Sequence, residues 1–260
     1  MNYFWYFVFL GGLCANLVLL SGIAIKLFGL DRRVKRLNNK VHVVVDNSEQ
    51  DLFRQFQAFS ALRGMISNAD RLPPLRGWAA SPDFLVEVLR LIEKKRPEVV
   101  VELGSGASTL AIASFLEEKN QGQLFSFDHD LGYSKQTANM VSESGLNNRA
   151  QVVFAPLVNY QVKGESWLWY SLENFPDSVD MVIVDGPPQS TQPLARYPAI
   201  PLVSPFFSSN AVVVLDDAGR KDEQEIVERW QAEGSWSVTN PVTEKGMAVL
   251  DKNEEILGSP

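Results

Sequence analysis

Cysteine is nearly absent from this chain of 260 residues, where Cys14 stands alone. An intrachain disulfide is thereby excluded, and so is a zinc site built on several thiolates. Histidine is almost as scarce, with only His42 and His129. A histidine-rich metal centre lacks material, so any metal would be held mainly by carboxylates. An excess of positive charge is missing too. The formal net charge of −7 is the opposite of what a non-specific nucleic-acid binder presents. Internal repeats and low-complexity tracts do not occur. What remains is globular in character, 45% hydrophobic and 21% charged, with length for one α/β domain and a short appendage.

That appendage is legible at the N-terminus. From Tyr3 to Ile25 no side chain is charged, which is long enough to cross a bilayer core of about 30 Å as a helix. Tyr3, Trp5 and Tyr6 sit at its outer end, where amphipathic rings favour the membrane interface. Lys26, Arg32, Arg33, Lys35, Arg36 and Lys40 follow, and no Lys or Arg precedes. The positive-inside rule then puts the N-terminus outside and the large domain in the cytoplasm. A cleaved signal peptide would carry positive charge before its apolar stretch, and this one has none. A lipoprotein site at Cys14 would want a small residue where Leu13 stands.

Residues 1–30 are therefore expected to be a transmembrane anchor and 31–72 a helical stalk. In the stalk Leu52, Phe56, Phe59 and Ile66 recur near helical spacing, so 50–67 reads as an amphipathic helix. It either packs on its own domain or pairs two copies as a homodimer. Leu72-Pro73-Pro74 breaks the helix, and a folded domain is expected over 73–260.

Within that domain, Ser81-Pro82-Asp83 has the composition of a helix start, and Pro97 ends the helix. The segment 98–103 is β-branched and apolar enough for a buried parallel strand. The alternation then repeats: helix 108–119, strand 124–128, helix 133–144, strands 150–154, 179–185 and 211–216, and helix 221–233. Such alternation implies a doubly wound, Rossmann-like parallel sheet. The segments 236–239 and 247–250 have no helix between them and predict an antiparallel hairpin. The stretch 163–175, with Trp167, Trp169 and Tyr170, is read as a loop whose aromatics pack, or else wall the pocket or stack on a sugar ring.

Two constellations carry chemistry. The first is Val101-Glu102-Leu103-Gly104-Ser105-Gly106-Ala107-Ser108-Thr109, at a strand-to-helix turn. Glycines let the backbone approach a ligand there, and the helix start offers free N–H groups to an anion. Glu102 puts a carboxylate beside that pocket, awkward for a pyrophosphate but suited to an ammonium. Asp128 closes the second strand, where an acid can accept bonds from ribose hydroxyls. The second constellation is acidic. Asp185, before Gly186-Pro187-Pro188, and the pair Asp216-Asp217 end neighbouring strands and converge on the crevice of an open sheet. Three such carboxylates suit a hard cation such as Mg²⁺. Read structurally, Asp217 would cap a helix and Asp185 would turn the chain.

These residues, with Leu72-Pro73-Pro74-Leu75-Arg76-Gly77-Trp78, FSFDHD at 125–130, Arg196-Tyr197-Pro198-Ala199 and LDDAGR at 215–220, resemble a class I S-adenosylmethionine (SAM)-dependent methyltransferase. The likeness covers about 72–250 and is nearest to the bacterial O-methyltransferase-related subgroup. It implies a seven-stranded sheet whose last strand is antiparallel. It implies that Glu102, Gly104, Ser105, Gly106 and Ser108 line the methionine end of SAM and that Asp128 binds its ribose. His129 and the Ala155-Pro156 corner would flank ribose and adenine. Catechol-type relatives hold Mg²⁺ on acids in the positions of Asp185, Asp216 and Asp217, and Asp185 is the expected catalytic group. The lysine base such enzymes carry after the fourth-strand acid is missing from Gly186-Pro187-Pro188-Gln189, which leaves the base unassigned; His129 is a candidate, though its position fits cofactor contact better. Arg196 and Tyr197 are expected as substrate contacts or scaffold. The acceptor would be a hydroxyl of a small, glycan or lipid-linked molecule near the membrane. Two alternatives share parts of this pattern: an NAD-dependent oxidoreductase, against which Glu102 and the terminal hairpin speak, and a non-catalytic membrane scaffold.

Overall fold

The structure, a computed structural model, describes residues 3–252. The chain divides into two compact units after Phe53. In the first unit residues 3–53 are helical, part of α1 (Tyr3–Met65), and every described side chain over 3–50 is exposed. Its most apolar 18-residue window has a mean hydropathy of 2.2, so this helix is long and apolar enough to cross a membrane.

The second unit begins with the last turns of α1, earlier than the residue 73 expected from the proline pair. The reason is burial: Leu62 and Ile66 are sealed in the core and Phe59 packs against it, whereas Phe56 is exposed. The apolar stripe expected over 50–67 thus faces the core only in its second half.

Next come α2 (Pro82–Lys95), β1 (Val99–Leu103), α3 (Ala107–Lys119), β2 (Gln123–Asp128), α4 (Leu131–Glu143) and β3 (Ala150–Phe154). A hairpin of β4 (Leu157–Val162) and β5 (Glu165–Tyr170) follows, then β6 (Val179–Val184), the short α5 (Ala199–Val203), β7 (Phe207–Asp216), α6 (Lys221–Glu233), β8 (Trp236–Thr239) and β9 (Met247–Lys252). Seven strands form one sheet in the order β3-β2-β1-β6-β7-β9-β8. All pairs from β3 to β7 are parallel, and β9 is antiparallel to both of its neighbours. This is the expected seven-stranded, mostly parallel sheet.

Strand residues alternate between two apolar layers, as a period of two requires. Val100, Ile183, Val212 and Val214 face α2 and α3, meeting Phe84, Leu89, Ile112 and Phe115. Val101, Leu103, Val182, Val184, Val213 and Leu215 face the other layer, where Trp169, Ile200, Ile226 and Trp230 cover them. Helices on both faces explain why the central strands read as continuous apolar runs.

The reading of 163–175 as a loop is corrected. Residues 165–170 are β5, paired antiparallel with β4 from Leu157↔Tyr170 to Val162↔Glu165. Lys163 and Gly164 connect them at φ +52° and +85°, the doubly left-handed two-residue turn that matches strand twist. The usual Asn-Gly signature is absent, and the strand itself is an aromatic run, Trp-Leu-Trp-Tyr.

Burial separates two substitutions on α1. Leu62→Ala should destabilise the second unit by about 2–5 kcal/mol, and Phe56→Ala, at an exposed site, by about 0.5 kcal/mol or less. Denaturant titration of the full chain in detergent, followed by the fluorescence of buried Trp169 and Trp230, measures both.

Candidate active site

Strand register sets four strand ends level. Leu103 pairs with Phe127 on one side and Val184 on the other, and Val184 pairs with Leu215. The residues that follow, Gly104, Asp128, Asp185 and Asp216, therefore form a row along the carboxyl edge. Chain order reverses between β1 and β6: strands run outward to β3 on one side, then return to β6 and β7 on the other. Ligand crevices of open parallel sheets form at such a point.

Backbones approach closely there. Gly104 has φ +106°, and a Cβ on it would lie 3.2 Å from the carbonyl carbon of Asp185 and the nitrogen of Gly186. Behind it Glu102 is 0% exposed. Its Oε2 accepts from the Thr109 hydroxyl at 2.5 Å and the Ser126 hydroxyl at 2.6 Å. Thr109 Oγ1 also accepts the Gly106 N–H at 2.9 Å, tying the acid to the start of α3. The other oxygen, Oε1, is buried without a partner. Burial pushes the Glu102 carboxyl up to about 6, while the nearby hydroxyls of Ser108, Ser126 and Thr109 pull the other way.

Asp128 is buried at the end of β2. Its Oδ2 accepts from the Ser105 N–H at 3.0 Å and the Ser105 hydroxyl at 2.6 Å, and Oδ1 accepts from the Asp130 N–H at 2.9 Å. Each oxygen keeps lone-pair capacity for a further donor. His129 Nδ1 lies 3.7 Å from Asp128 Oδ1 and has no hydrogen-bond partner. The Ala155 N–H donates to the Asp128 carbonyl at 2.7 Å, fixing the corner after β3. Glu102, Gly104, Ser105, Gly106, Ser108, Asp128, His129 and Ala155 thus gather at the ends of β1, β2 and β3. Unpartnered Glu102 Oε1 and His129 Nδ1, with the close Gly104 turn, fit a ligand carrying an ammonium and a ribose, as SAM does.

The second constellation also assembles. Asp185, Asp216 and Asp217 each offer a carboxylate oxygen within 4.8 Å of the others. Between them lies the buried Arg196. It donates to the carbonyls of Asp216 (2.9 Å) and Asp185 (2.8 Å) and to Asp217 Oδ2 (2.9 Å), and stands 3.3 Å from Asp185 Oδ1. Arg196 is therefore a clasp across β6 and β7. Asp216 Oδ2 and Asp217 Oδ1 remain buried without partners, and with Asp185 they fit a small hard cation beside the guanidinium. Burial pushes Asp185 up to about 6, opposed by Arg196, and raises Asp216 well above the usual carboxylate range. Asp217 sits at φ +60°, turned back towards Arg196 and Arg220.

Beside these acids a cleft of about 370 Å³ is lined by Trp78, Gln189, Arg220 and Lys245, among others. Lys245 Nζ donates to the carbonyls of Gly77 (3.2 Å) and Ala79 (2.9 Å), pinning the segment that carries Trp78, which is 87% exposed. Tyr197 belongs to the scaffold instead: its hydroxyl donates to Glu233 at 2.8 Å, and its carbonyl accepts from Trp230 Nε1. The sequence reading assigned Tyr170 to packing, yet its buried hydroxyl has no partner and its ring stands edge-on to His129.

The sheet order, the glycine turn, and the acids ending β2 and β6 define the fold of class I SAM-dependent methyltransferases. Residues 101–218 match the family described as a methyltransferase domain. Solved structures share the fold at low identity. The SAH-bound methyltransferase PaMTH1 of Podospora anserina is 12% identical over 77% of this chain and 88% of its own, with a TM-score of 0.52. The Bacillus cereus O-methyltransferase in complex with SAH is 15% identical over 75% and 91%, at 0.52. TomG, the Streptomyces achromogenes O-methyltransferase of tomaymycin synthesis in complex with SAM, is 16% identical over 79% and 96%, at 0.51. No curated protein matches the chain.

Glu102 gives this site a pH signature. Its carboxyl is raised from an ordinary 4.5 to about 6, so the folded state holds the proton more tightly than the unfolded chain. Stability is therefore lost as pH rises from about 4.5 through 6, by on the order of 2 kcal/mol. Glu102→Gln should lack this component, so the difference in unfolding free energy between wild type and variant, measured from pH 4 to 8, should change across that window.

Proposed function

We propose that this chain is a membrane-anchored O-methyltransferase that uses SAM and acts on a hydroxyl of a small, glycan or lipid-linked acceptor at the inner membrane face. The observation that carries this reading is the pair of buried, unpartnered polar atoms, Glu102 Oε1 and His129 Nδ1, flanking the Gly104 turn beside Asp128. Glu102 receives the ammonium, the start of α3 faces the carboxylate, and Asp128 accepts from the ribose hydroxyls. Held there, SAM would supply an electrophilic methyl group on its sulfonium for transfer to the acceptor oxygen, with SAH as the other product.

The remaining steps belong to the chain's own residues. Asp185 lies between the cofactor turn and the cleft that carries Trp78, Gln189, Arg220 and Lys245. Its carboxylate takes the proton that the acceptor hydroxyl gives up, in place of the missing lysine, and a pKa of about 6 suits a base at neutral pH. Arg196 fixes that carboxylate. Arg220 and Lys245 orient a polar acceptor, and Trp78 covers it. Most of the rate enhancement then comes from alignment of acceptor and methyl group. With a Mg²⁺ ion held by Asp185, Asp216 and Asp217, the lowered pKa of the acceptor would take the place of Asp185 as base.

The basic cluster from Lys26 to Lys40 supports an N-terminus outside and a cytoplasmic domain. Exposed Leu52, Phe53 and Phe56 support pairing of two copies through the stalk. With Cys14 replaced, a cysteine introduced at Asn120 should resist impermeant maleimide in intact cells, and its labelling there would reverse the orientation.

Calorimetry of the full chain in detergent with SAH tests the cofactor. One site per chain is expected, with affinity weakened about 10-fold or more in Asp128→Asn and no heat with NADH. Absence of SAH binding would sink the proposal, and binding without turnover on any membrane extract would favour a scaffold. Turnover indifferent to EDTA would remove the cation and leave the rest.

A further inference from the structure

Among the described residues, the polar atoms sealed around the crevice without a partner include Glu102 Oε1, His129 Nδ1 and the Tyr170 hydroxyl, besides Arg196 Nε, Asp216 Oδ2 and Asp217 Oδ1. The first two belong to the cofactor reading above. The third comes from no motif. Tyr170 ends β5, and its ring is fully buried, edge-on to His129 at 6.0 Å and to Trp169 at 5.2 Å between centroids.

Its hydroxyl reaches the point where β1 and β6 separate. A Cβ built on Gly186 would lie 2.2 Å from that oxygen, 3.3 Å from the Leu103 carbonyl and 3.4 Å from Gly104 Cα. Only glycine at 186 leaves room for it. The charges of Asp128, Arg196, Asp185 and Glu102 all act on this hydroxyl, so it stands among the groups assigned to ribose, methionine and proton transfer. Phenylalanine would fill the same space without leaving a buried donor unsatisfied. Burial and the surrounding carboxylates hold the phenol well above its ordinary 10, so it keeps its proton at any working pH and serves as a donor.

We propose that Tyr170 is a cofactor-binding residue whose hydroxyl donates a hydrogen bond to the ribosyl-methionine portion of bound SAM, delivered to the crevice by the β4–β5 hairpin. The inference rests on the SAM reading and extends the site to an element outside its sequence motifs. The hairpin then does two things: its tryptophans cover the sheet, and its last residue closes the cofactor site.

The test pairs SAH calorimetry with thermal unfolding of the ligand-free full chain in detergent, for wild type and Tyr170→Phe. The variant should bind SAH about 10-fold more weakly, with a ligand-free Tm equal to or above that of wild type. Equal SAH affinity in the two proteins would overturn the proposal and leave the SAM reading standing. Failure of the wild type to bind SAH would overturn the SAM reading itself and this inference with it. Weaker binding with a lowered Tm would show a packing role and also overturn it. Should Tyr170→Phe not fold, Gly186→Ala gives a second handle, because its methyl must displace the hydroxyl. It should weaken SAH about 10-fold as well, and the double variant no further than either single one. Unchanged affinity in Gly186→Ala would count against the proposal.

Discussion

A carboxylate without exposure to solvent needs other groups to solvate it, and Glu102 is only half provided for. Thr109 and Ser126 satisfy one oxygen; the other is left bare inside the fold. Burying such a group without its full set of partners costs free energy, and the raised carboxyl of Glu102 registers that cost. The surrounding architecture exists to hold this acid where it is. β1 places it one residue short of the carboxyl edge, α3 begins directly over it through the Gly106–Thr109 link, and β2 supplies Ser126. A ligand cation that reached Oε1 would complete the set, so stability withheld from the empty site becomes affinity.

The same logic recurs one strand over. Asp185, Asp216 and Asp217 crowd negative charge into the tips of β6 and β7, and Arg196 keeps the two strand ends together by binding backbone carbonyls and carboxylates at once. A guanidinium suits this place because its fork reaches several acceptors in a plane and never loses its charge. The crevice therefore has two differently compensated halves: an under-solvated acid behind the glycine turn, and acids clamped by an arginine at the tips of β6 and β7. Asp185 stands between them. Fields of this kind, fixed before any ligand arrives, are what methyl transfer requires of a protein that performs little covalent chemistry of its own.

Much of this was legible because parallel α/β sheets write themselves plainly. β-branched runs at 99–103, 179–184 and 211–215 have no face to spare for water, and the first and last are followed by a helix signal. The acids stood out because carboxylates at strand ends are anomalous among apolar neighbours. Three features stayed hidden, each for a physical reason. The β4–β5 hairpin turns on Lys163-Gly164 rather than Asn-Gly, and its aromatic run lacks polar alternation. The role of Arg196 depends on two carbonyls, which sequence does not display. Tyr170 differs from a packing residue only in one oxygen, whose lack of a partner is a fact of three dimensions. The start of the folded unit was obscured because Leu62 and Ile66 lie on the same helix as exposed Phe56, and periodicity alone does not reveal where a helix meets its core.

Hydrogen–deuterium exchange of the full chain in detergent, with and without SAM, tests the central claim most directly, because it reads where the ligand sits. The account predicts protection on SAM addition confined to the amides of 103–109, 128–130, 155–157, 170–171 and 185–186, and none over 3–53. Protection elsewhere, or none at any of these turns under saturating SAM, would contradict it.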